Sequence, residues 1–67
     1  MADALPVPHL RELRQRAALT QQQLADTAKV AKATIANAEL GSSLRLPTIR
    51  KLADALGKEP AELMGKS

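Results

Sequence analysis

Cysteine is absent, and so are phenylalanine, tyrosine and tryptophan. Without thiols no disulfide can staple the chain and no thiolate metal cluster can form. His9 is the one histidine, and a single imidazole does not make a zinc site. Without aromatic rings the core must be aliphatic, and the usual stacking platform for unpaired RNA bases is missing. No apolar run approaches the roughly 20 residues of a membrane span, and no signal-peptide core follows Met1. Neither Asn-Gly nor Asp-Gly occurs, and no segment alternates with period two, so strands and hairpins are not expected. No Gly-rich phosphate loop is present. Ser42, Ser43 and Ser67 fall in a loop or tail without a base beside them, so the converging polar groups of an enzyme are not expected. A cytoplasmic, non-enzymatic protein without metal or cofactor is the expectation these absences leave.

What is present suffices for one small domain. The chain has 67 residues, 45% of them hydrophobic. A chain of this size buries only about 60% of its unfolded surface, so its stability margin is thin. The formal net charge is +3. That favours a polyanionic partner, although a few excess charges are also ordinary solubilising charge.

Residues 1–8 read as an N-terminal arm, because Pro6 and Pro8 discourage early helix. A domain over 9–64 and a tail over 65–67 follow. From His9 onward, Leu10, Leu13 and Ala17 recur with helical spacing, with Arg11, Glu12, Gln15 and Arg16 on the other side. Thr20 is an N-cap, and Gln23 three residues later completes a capping box. A second helix is expected over 21–28, with Leu24, Ala25 and Ala28 inward. After a break at 29–31 comes a third over 32–40, with Val30, Ile35 and Ala38 inward and Gly41 as its stop. A loop covers 41–46. Pro47 then opens a fourth helix with the stripe Ile49, Leu52, Ala53 and Leu56, ended by Gly57. Pro60 opens a last turn that folds Leu63 and Met64 back. The expected fold is all-α, a compact set of five short helices.

The stretch 21–40 carries the functional signal. Two short helices are joined by about three residues, with small or aliphatic residues at Leu24, Ala25, Ala28, Val30, Ile35 and Ala38. Helices crossing steeply need a small residue at the close approach, and Ala25 supplies it. The second helix of the pair then keeps one face outward, free to enter a major groove about 12 Å wide. The marks LTQQQLA (19–25), VAKATIANAE (30–39) and LADALG (52–57) together resemble the phage-repressor (Cro/Xre) type of helix-turn-helix domain. The resemblance covers residues 10–64 and implies a lambda-repressor-like fold.

The resemblance implies sequence-specific binding of double-stranded DNA by a small transcriptional regulator, a repressor and a homodimer on DNA. Lys32, Ala33, Thr34 and Asn37 match its base-facing positions. Lys32 can donate to guanine, Asn37 can pair with adenine, and Ala33 and the Thr34 methyl can touch a thymine methyl. Thr20 and Gln21, at the start of the second helix, match phosphate contacts. Arg45 with Ser42 and Ser43 is placed near the DNA backbone. Arg14 and Glu39 match a structural ion pair that locks the reading helix to the scaffold. Arg11 and Arg16 are expected to supply long-range attraction only.

Three positions depart from the family pattern. Lys29 stands where glycine is frequent, Leu44 where proline is frequent, and Lys58 where an aliphatic residue is usual. The alternative function is a protein-interaction module, such as an antitoxin or adaptor, built on the same fold. The few long polar side chains over 32–37 favour that alternative. The operator, the regulated genes and the dimer surface are not legible in the sequence.

Overall fold

The computed structural model describes residues 4–65. In chain order the elements are β1 (Ala4–Leu5), α1 (Leu10–Arg16), α2 (Gln21–Ala28), α3 (Lys32–Glu39), β2 (Leu44–Arg45), α4 (Leu46–Leu56) and α5 (Pro60–Leu63). The five expected helices are therefore present, with one small ribbon added. None of these helices is long and apolar enough to cross a membrane.

Each helix begins and ends for local reasons. Thr20 Oγ1 accepts from Gln23 N–H at 3.0 Å, and Gln23 Oε1 accepts from Thr20 N–H at 2.9 Å, closing the capping box of α2. Lys29 ends α2 in the left-handed region at φ 60° and turns the chain so that Val30 N–H reaches Ala25 O. The glycine-favouring position in the family pattern thus does adopt the conformation glycine relieves. Gly57 ends α4 at φ 66°, where lack of a Cβ removes the penalty that Lys29 carries. At α5, Glu59 N–H donates to Glu62 Oε2 at 2.8 Å. Lys58 is exposed and does not prevent that helix, because Leu63 is fully buried and anchors it.

The core is aliphatic throughout. Leu10, Leu24, Ile35, Ile49, Leu52 and Leu63 are its largest fully buried side chains, and no buried residue is polar among those described. Ala25 on α2 is buried, and α2 packs against both α3 and α4.

Three local expectations need correction. Ala17 lies outside α1 and is exposed. The chain reverses at Ala18, φ 59°, to bring Leu19 against the core. Residues 4–8 do not form a detached arm. Ala4 pairs with Arg45 and Leu5 with Leu44 in an antiparallel ribbon, and Val7 is buried in the core. The loop over 41–46 correspondingly contains β2 and the first residue of α4. Strands of two residues are too short to show alternation, so the ribbon left no periodic signal. Of the expected tail, Gly65 is described, while 66–67, like 1–3, lie outside the described residues.

Candidate nucleic-acid interface

The two faces of α3 differ sharply. Ile35 and Ala38 point into the core, whereas Lys32, Ala33 and Asn37 are exposed and Thr34 and Ala36 half-buried. At about 100° per residue, Ala33, Ala36, Asn37 and Leu40 share the outward stripe. Lys32 and Thr34 flank it on opposite sides. Leu40, just past the helix, is 87% exposed.

A polar lock holds the far end of α3 to the scaffold. Arg14 Nε donates to Glu39 Oε2 at 2.6 Å and Arg14 Nη2 to Glu39 Oε1 at 3.0 Å, a two-pronged pair. Arg14 Nη1 donates to the carbonyl of Leu19 at 2.8 Å. Gln21 Nε2 adds a third hydrogen bond to the carboxylate, at 3.0 Å on Oε1. The Glu39 side chain is only 5% exposed. Burial alone pushes its carboxyl upward. The hydrogen bonds from Arg14 and Gln21, with the fields of Arg14 and Arg11, outweigh burial and hold it below the ordinary carboxylate range. The hydrogen bond to Glu39 correspondingly raises the Arg14 guanidinium, against the opposing effect of its own burial. One lock therefore joins α1, the turn after it, the start of α2 and the end of α3.

The remaining site residues fall into two neighbourhoods. Thr20, Gln21 and Lys32 line one open depression together with Arg14. It lies where the free N–H groups at the start of α2 face solvent. Lys32, matched to a base-facing position, thus shares a wall with the two positions matched to phosphate. Ser42 and Ser43 are exposed in the turn after α3, and Arg45 is exposed on β2. Spacing carries no sign of the Gln21 to Glu39 hydrogen bond, because residues 18 positions apart on different helices share no periodicity. The Leu19 carbonyl as a second partner for Arg14 was equally invisible.

The helix-turn-helix family model matches residues 10–63. The chain is a Cro/Xre-like helix-turn-helix protein. Membership makes it a DNA-binding transcriptional regulator. Among solved structures, this helix-turn-helix protein is similar to the crystal structure of the restriction-modification controller protein C.AhdI from Aeromonas hydrophila. The two are 39% identical, the match covers 82% of this chain and 85% of that one, and the TM-score is 0.78. No curated protein sequence matches this helix-turn-helix protein significantly.

Proposed function

We propose that this regulator reads double-stranded DNA by sequence as a homodimer and represses transcription by occupying its site in the cytoplasm. In this reading α3 lies in the major groove. Lys32, Ala33, Thr34 and Asn37 meet base edges, while Thr20, Gln21, Ser42, Ser43 and Arg45 meet the backbone. The observation that carries it is the mounting of α3, buried through Ile35 and Ala38 and clamped through Glu39, with its opposite face in solvent. A side chain can discriminate bases only when its helix cannot roll, and the lock prevents rolling. The amide of Gln21 has two hydrogens, so donating one to Glu39 leaves one for a phosphate oxygen.

A single module of this size buries only about 600–1,000 Å² on DNA, so two copies on a symmetric site are the natural route to specificity. Likeness to a restriction-modification controller makes the promoter of such a system a concrete target. Selection of bound sequences from a random duplex pool tests the proposal. The expected product is a two-fold symmetric motif with half-sites about 34 Å apart. Enrichment of no motif would overturn it.

One observation favours the second reading, a protein-interaction module such as an antitoxin or adaptor. The outward stripe of α3 carries Ala33 and Ala36, which offer bases little. A salt titration separates the two readings. A DNA reader loses affinity steeply with salt yet keeps its preference for the selected site, whereas an adaptor shows neither behaviour.

A further inference from the structure

Three arginines stand on α1, and two are already engaged. Arg14 is held by Glu39 and the Leu19 carbonyl. Arg16 pairs with Glu12 one turn away at 2.8 Å. Arg11 is exposed and takes part in no hydrogen bond or ion pair among the described residues. It lines a narrow groove whose other walls are Pro6 and Pro8 on one side and Ala38, Glu39 and Gly41 on the other. Glu39 accepts hydrogen bonds from Arg14 and Gln21 and feels Arg11 only through its field. The group Arg11, Arg14 and Glu39 therefore leaves one positive charge uncompensated at the end of α3. The proline walls have a fixed φ, which limits how far that side of the groove can give way.

Position decides what this charge meets. A helix of eight residues is about 12 Å long, close to the roughly 12 Å width of the major groove. With Lys32 to Asn37 at the base edges, the chain just beyond them, from Glu39 to Gly41, rises to the sugar-phosphate wall. Arg11 sits at that end, off the outward stripe of α3 and beside the turn that carries Ser42 and Ser43. We infer that Arg11 binds a DNA backbone phosphate at the outer edge of each half-site, its planar fork taking two phosphate oxygens. This rests on the DNA-reading function proposed above. It gives Arg11 a direct contact where sequence reasoning assigned long-range attraction only.

The test compares wild type, Arg11→Ala and Arg11→Lys on the duplex that wild type selects from a random pool, from about 50 to 200 mM salt. Arg11→Ala is expected to lower the slope of log affinity against log salt by about 0.9. Its affinity then falls about threefold less than wild type across that range. The weakening is expected to be equal on every single-base variant of the duplex, and Arg11→Lys to restore the slope. Arg11→Lys keeps the charge that acts on Glu39 and should melt with wild type, and circular dichroism should show Arg11→Ala folded under the binding conditions. Wild-type binding with an unchanged slope in Arg11→Ala overturns the phosphate contact alone. A change confined to one base pair also overturns it. Failure of wild type to bind any duplex overturns the DNA-reading function itself.

Discussion

Lys29 shows how one residue can carry a cost for the sake of a turn. An L-residue held at φ 60° is strained by roughly 1 kcal/mol relative to glycine. Lys29→Gly is therefore expected to stabilise the protein by about 1 kcal/mol, a rise of roughly 4–8 °C in Tm for so small a domain. Thermal denaturation checks this, and Lys29→Asn should recover part of the gain. A lower Tm in both variants would contradict the strain. Glu39 makes a second prediction. Its carboxyl is held below the ordinary range in the folded protein and relaxes to that range on unfolding. A depressed acid stabilises the fold fully above the unfolded value and loses that contribution as pH falls through the folded one. Stability should thus fall below about pH 4, and Glu39→Gln should flatten that limb of the Tm profile. Truncation to Glu39→Ala leaves Arg14 only the Leu19 carbonyl and no counter-charge, and is expected to cost about 3 kcal/mol, the lower end for a buried pair. A chemical denaturation curve measures it.

At the scale of elements, caps and faces account for what was legible. The sequence Thr20 to Gln23 announces a capping box, and the helix starts there because both hydrogen bonds form. Thr20→Ala should cost about 1 kcal/mol. The apolar spacing of Ile35 and Ala38 identifies the inner face of α3, and with it the outer one. Lys32→Ala and Asn37→Ala are each expected to reduce discrimination at particular base pairs by about 1–3 kcal/mol with the fold intact. Footprints on a panel of single-base duplex variants measure this, and profiles identical to wild type would refute the assigned face. The ribbon was not legible, because Ala4–Leu5 and Leu44–Arg45 are each too short to carry a period.

The whole molecule has little stability to spare. At about 0.05–0.15 kcal/mol per residue, a domain of this size is stable by roughly 3–10 kcal/mol. Leu52 is fully buried, and Leu52→Ala should remove about 2–5 kcal/mol, enough to leave a substantial unfolded fraction. Residues 4–7 are tied to the same core. Deleting residues 1–7 removes both Val7 from the core and the partner strand of Leu44–Arg45. The truncated protein is expected to melt lower and to exchange faster the one β2 amide proton that faces β1. Hydrogen exchange by NMR would show it, and unchanged protection would mean that the arm does not support the turn bearing Ser42 and Ser43.

Periodicity and end signals determined the five helices and, Ala17 apart, their inner faces, because those features depend on neighbours within about four residues. The family was legible as a resemblance of the motifs at 19–25, 30–39 and 52–57. Three-dimensional packing alone decided the rest. It brought Gln21 to Glu39 across 18 positions, paired Ala4–Leu5 with β2, and placed Arg11 beside Gly41 without a hydrogen bond or ion pair among the described residues. Contacts between separate elements depend on crossing angles and side-chain volumes, and no local pattern encodes those.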